Sequence, residues 1–168
     1  MKTFGSTRLT ESQIRSAHVA DSLSVQFEEV LAKMQEETVS WDVFLSHSSR
    51  DRQLVVSFKR YLEAKKLKVY VDWLEESEAR RDEIAPKLKV AMHNSKVLIY
   101  LHTHNSRLSR WTPWEIGLFD SMKGQERAGV IPLLDASGLV PPYDGQEYLT
   151  LYTEIGSELL RIFVEYGA

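Results

Sequence analysis

From Ser40 onward the sequence alternates short apolar runs with amphipathic segments of helical period, and this rhythm narrows the fold more than any other feature. A run too short for a helix, followed by a longer segment with one apolar stripe, reads as a strand and then a helix. Repeats of that unit build a parallel sheet covered on both faces. The runs are Trp41 to Leu45, Leu67 to Asp72, Val97 to Leu101 and Val130 to Leu134, with a brief fifth expected at Leu149 to Tyr152. Val97 to Leu101 is the most continuously apolar and belongs in the sheet interior. Pro132 marks the end of its strand or a near-edge place. The fold expected is α/β: a flavodoxin-like open parallel five-stranded sheet flanked by helices.

The helical segments have readable ends. The first after Leu45 starts within Ser48 to Asp51, with Ser48 as cap and Leu54, Phe58 and Leu62 on its buried side. A charged loop at 75–81 leads to a helix ending near His93, in which Pro86 is tolerable only in the first turn. Another runs from about Trp111 to Met122 and stops at Gly124, and the last covers about 155–166. Before the domain, Thr10 and Gln13 form a capping box for an amphipathic helix reaching about Glu36. Residues 1–39 are thus an N-terminal extension and 40–168 the α/β domain. The apolar stripe of the extra helix has to be buried, on the following domain or in self-association.

Composition excludes several chemistries. The chain has 168 residues, enough for one core. It has no cysteine, so disulfides, thiolate catalysis, Cys-ligated zinc and iron–sulfur clusters are excluded. The five histidines lack an HExxH pattern, and no metal is expected. Lys and Arg number 21 against 24 Asp and Glu, and this net −3 gives no support for nucleic-acid binding. No run approaches the roughly 18 apolar residues of a membrane span, and the start lacks a signal-peptide core. A soluble cytoplasmic protein is the expectation.

In open sheets of this kind the ligand crevice lies beyond the carboxyl ends of the strands. There the sequence places Ser46-His47, Asp72-Trp73 and His102 to Asn105. Neither GxGxxG nor GxxxxGK[ST] follows a strand, which argues against dinucleotide dehydrogenases and P-loop enzymes. A phosphoacceptor receiver domain would want clustered acids where Ser46-His47 stand. The serines after Leu45 either bridge a turn or hold a phosphate or ribose hydroxyl. Asp72 is either a turn residue or a site residue, and Trp73 either completes the core or offers an indole face to a ring.

Thr112-Pro113-Trp114-Glu115 has two readings. In one, it is a capping box with Pro113 at N1, and Glu115 reaches back to an amide. In the other, the helix begins near Ser109, and Trp111 and Glu115 share a face one turn apart with the carboxylate ionised at the positive helix end. A carboxylate beside an aromatic wall suits gripping ribose hydroxyls and stabilising positive charge at an anomeric carbon.

Taken in order, Trp41-Asp42-Val43-Phe44-Leu45-Ser46-His47, Lys68-Val69-Tyr70-Val71-Asp72, Ser95 before the central strand and the WxxxE pair Trp111 and Glu115 resemble a bacterial TIR (Toll/interleukin-1 receptor) domain over about 40–166. The resemblance implies a five-stranded parallel sheet and cleavage of NAD+ at the nicotinamide–ribose bond, giving ADP-ribose or a cyclic isomer. It makes Glu115 the catalytic residue and Ser46, His47, Asp72, Trp73 and Trp111 the residues that bind the dinucleotide. NAD+ is then a substrate, with no tightly bound cofactor. The resemblance further implies self-association and a role in antiphage defence, with a downstream effector reached through a nucleotide signal. The other function open to such a domain is a non-catalytic adaptor acting through contacts with like domains.

Overall fold

The computed structural model describes residues 39–73, 81–134, 138–156 and 160–166. The helix expected at 10–36 and most of the charged loop after Trp73 lie outside them. The strands are β1 (Trp41–Ser46), β2 (Val69–Val71), β3 (Ser95–His102), β4 (Ala128–Pro132) and β5 (Thr153–Glu154). The helices are α1 (Arg52–Ala64), α2 (Arg81–His93), α3 (Thr112–Lys123) and α4 (Leu160–Tyr166). All strand pairs are parallel, in the order β2-β1-β3-β4-β5. This is the flavodoxin-like order, whose direction of winding reverses between β1 and β3.

Strand alternation divides the core between the two faces of the sheet. Val43, Leu45, Val97, Ile99 and Leu101 point to one side and meet Val55 and Leu62 of α1 with Leu160 and Val164 of α4. Phe44, Leu98 and Tyr100 point to the other and meet Leu88 and Met92 of α2 with Ile116 and Phe119 of α3. From Val97 onward β3 is buried at every position, as its central place requires. Each such fully buried aliphatic side chain contributes on the order of 1.5–3 kcal/mol.

Several boundaries differ from those read in the sequence. Val55, not Leu54, is buried on α1, and Leu54 is 40% exposed. A 3-10 turn at Ser49–Asp51, capped by Ser48, precedes α1; within α1, Val55 stands seven residues before Leu62 on one stripe, and Leu54 at eight drifts off it. Pro86 lies inside α2, deeper than the first turn, where it forgoes a ladder hydrogen bond. The fourth strand begins earlier than Val130 and ends at Pro132. The run Leu149 to Tyr152 is not a strand: Glu147–Leu151 is a 3-10 turn backed by the Thr150 hydroxyl on the Glu147 carbonyl, and β5 follows it. Ile155 and Gly156, expected in the last helix, are not helical: Ile155 donates to the Val130 carbonyl, and the described helix α4 covers Leu160–Tyr166.

Candidate functional site

Ser46 ends β1 at the point where the winding reverses, and its side chain shares the face of Phe44. Its Oγ donates a 2.5 Å hydrogen bond to Oε2 of Glu115, from 69 positions away. Both residues are buried, Ser46 at 1% and Glu115 at 2% exposure. A hydroxyl fixed on a strand end thus meets a carboxylate in the first turn of α3. That turn also presents the positive end of the helix dipole.

The local sequence explains how α3 brings Glu115 there. Ser109 is extended, and its Oγ accepts the amides of Trp111 at 3.2 Å and Thr112 at 3.3 Å. The Glu115 amide, which a Thr112 cap would take, donates to the Trp111 carbonyl at 2.8 Å. The Thr112 hydroxyl is engaged elsewhere, with Tyr100 and the Ser106 carbonyl. The Thr112 capping box is therefore not formed, and α3 begins at Thr112 with Trp111 as its N-cap, later than the start near Ser109 that the other reading expected.

Tyr70 feels the charge of both acids, Asp72 and Glu115. Burial pushes its phenol up to about 12, and the negative charges of Asp72 and Glu115 add to the effect. Asp72 follows β2 and is buried. Its place on Tyr70's face follows from strand alternation, which was a usable signal for Tyr70 as a site neighbour.

His47 and Trp73 belong to the opposite face. The His47 Nδ1–H donates to the Leu45 carbonyl at 3.0 Å, and its ring meets Trp73 edge-on at 5.6 Å. Burial lowers the His47 pKa below its ordinary value, with Asp72 and Asp51 opposing. Trp73 packs on the Leu45 cluster, and the Arg52 guanidinium lies 5.3 Å over its ring. It is core wall and cation platform together.

Trp111 packs on the Phe44 cluster and edge-on to Trp114 at 5.5 Å. With Trp114, Ala85, Lys89 and Arg110 it lines a hollow of about 510 Å³. That volume lies within the range of small-molecule sites, and among the described residues its lining holds two cations and no acid. A second hollow of about 480 Å³, beside β4 and β5, is lined by Phe58, Tyr61, Leu133 and other apolar groups. Among the described residues, Glu154 and Tyr61 are its ionisable lining residues.

The polar residues after β3 face other partners. His102 Nε2–H donates to the Pro141 carbonyl at 2.9 Å, while Thr103 and Asn105 each donate to Asp51 at 2.6 Å. Tyr100, two residues before the end of that strand, is a site neighbour that the sequence reading missed. Only the register, in which Tyr100 is the β3 partner of Ser46, reveals it.

A carboxylate and a hydroxyl buried together at the crossover can bind a diol or stabilise a cation; they lack the base and nucleophile of a hydrolytic triad. A family model described as TIR domain matches residues 43–159. A Bacillus cereus (strain MSX-D12) protein, "Probable 3' cyclic ADP-D-ribose synthase ThsB'", is 37% identical over 116 residues, 67% of this chain and 58% of that protein. A Cytobacillus dafuensis protein, "Putative cyclic ADP-D-ribose synthase TIR2", is 27% identical over 81 residues, 45% of this chain and 21% of that protein. The matched part of the chain thus spans less than two thirds of either relative. With the strand order, the WxxxE turn on α3 and a family match over most of its length, the chain belongs to the TIR domain family.

Proposed function

We propose that this chain is an NAD+ nucleosidase or ADP-ribosyl cyclase that breaks the nicotinamide–ribose bond, yielding ADP-ribose or a cyclic isomer as a signal in antiphage defence. One observation carries the reading: the buried Glu115 carboxylate, held by Ser46 at the β1–β3 crossover. The names of the two relatives, both cyclic ADP-D-ribose synthases, agree with it.

Nicotinamide in NAD+ already carries positive charge, so its departure needs no strong general acid. Charge then develops on the ribose, and a fixed carboxylate beside it lowers the barrier because it does not have to reorganise. In this reading Glu115 also grips the ribose hydroxyls, and Ser46 fixes the carboxylate's rotamer. Trp111 walls the substrate, whose phosphates face Lys89 and Arg110. His47 and Trp73 shape the far side of the crevice, and Asp72 stands on the near side with Tyr70. Water attacking the anomeric carbon gives ADP-ribose; a nucleophilic atom of the bound adenine or its ribose gives a ring. Positioning decides between them.

The test is to incubate the purified protein with NAD+ and resolve the products by chromatography and mass. Wild type releases nicotinamide, and Glu115→Gln loses about 100-fold or more, as expected when a preorganised charge is removed. Ser46→Ala keeps the charge but loosens it and loses about tenfold. Undiminished turnover by Glu115→Gln would overturn the assignment. A wild type that never releases nicotinamide, at any protein concentration, would favour the adaptor reading.

A further inference from the structure

Besides the packing of Ile116 and Phe119, two side-chain hydrogen bonds tie α3 to the sheet, and one of them is the site bond. Ser46 and Tyr100 are register partners on β1 and β3. Ser46 holds Glu115, while the Tyr100 hydroxyl lies 3.1 Å from the Thr112 hydroxyl, three residues earlier in the same turn. Tyr100 and Thr112 are both fully buried, so each hydroxyl depends on its protein partners.

Proton accounting gives this second anchor a direction. Gln146 Nε2–H donates to the Tyr100 oxygen at 2.9 Å. The single Tyr100 proton then goes to Thr112 Oγ1, the nearer of its two acceptors; the Ser106 carbonyl is 3.5 Å away. Thr112 in turn donates to that carbonyl at 3.4 Å. The relay Gln146, Tyr100, Thr112, Ser106 thus has a donor and an acceptor at every link, and it ends on a backbone oxygen. Gln146 also donates to Tyr148 at 3.2 Å, which ties the relay to the 3-10 turn before β5.

The packing of Ile116 and Phe119 holds α3 against the sheet but fixes its rotation only to within side-chain adjustment; two hydrogen bonds three residues apart narrow it further, and the carboxylate keeps one direction. We propose that Tyr100 is a positioning residue for Glu115: with Gln146 and Thr112 it sets the rotation of α3, and so aims the carboxylate at the β1–β3 crevice. The inference rests on the proposed activity for its kinetic consequence, but the anchor itself can be read without turnover.

The variants are Tyr100→Phe, Thr112→Val and the conservative Thr112→Ser. Val164→Ala in α4, on the other side of the sheet, controls for plain destabilisation. With an active wild type, Tyr100→Phe and Thr112→Val lower kcat about tenfold at a KM within about twofold, while Thr112→Ser stays near wild type. Unchanged kcat in the first two, or a loss matched by Val164→Ala at equal Tm, would overturn the proposal. Hydrogen exchange at the amides of Trp114 to Ile116 decides the case of a silent wild type, where the activity reading fails separately. Exchange about tenfold faster in Tyr100→Phe and Thr112→Val, but not in Thr112→Ser, supports the anchor. Unaltered exchange in all three overturns it.

Discussion

Two buried histidines make the stability of the domain depend on pH. His47 and His102 are 4% and 0% exposed, and both pKa values lie below the ordinary 6.5 because burial disfavours the charged ring. Arg107 and His104 push His102 further down. An unfolded chain therefore takes up these protons at a higher pH than the folded one. The stabilisation is complete above about pH 6.5 and is lost as the pH falls through the lower folded-state values, at up to about 1.4 kcal/mol per pH unit for each histidine. Thermal melts between pH 7.5 and 5 are expected to show a falling Tm. His102→Gln, which can still donate to Pro141, should flatten part of the fall; an equally steep curve would place the proton uptake elsewhere. The two partners of the buried hydrogen bond were each legible as candidates: Glu115 from its WxxxE turn, Ser46 from its strand end. Their contact was not, because 69 intervening positions separate the two halves of one hydrogen bond.

Among the elements, β4 offers the sharpest steric test. A Cβ at Gly129 would stand 3.0 Å from Phe163 Cζ and closer still to the Ile155 side chain. The bare backbone at this position lets α4 and the segment after β5 close on the sheet. Gly129→Ala should cost about 1–3 kcal/mol, read from urea unfolding, whereas Gly117→Ala in α3, where added bulk meets nothing within 4 Å, should be neutral or better. A neutral Gly129→Ala would mean that the close approach relaxes freely. Element types were readable in the sequence because period two and period 3.6 differ plainly over long segments. The failures are local. On α1 the buried stripe runs through Val55 and Leu62, seven residues apart, and Leu54 drifts off it. The 3-10 turn at Glu147–Leu151 hid inside an alternating run, with Leu149 buried and Leu151 66% exposed.

For the molecule as a whole, the decisive property is the strand order, which alternation alone cannot supply. Alternating strands and helices announce a parallel sheet. Only the pairing of β1 with both β2 and β3 creates the reversal at which Ser46, Tyr100 and the first turn of α3 converge. That convergence leaves Glu115 just 2% exposed, too enclosed for a dinucleotide to reach without movement of its surroundings. If the proposed cleavage is right, the closed single chain is a resting form, and activity requires a second conformation. Self-association, expected from the family resemblance, would favour that conformation by mass action. Nicotinamide release per milligram should then rise with protein concentration before reaching a plateau, and sedimentation velocity should show larger species over the same range. A rate strictly proportional to protein, with a single species throughout, would show instead that substrate alone opens the crevice.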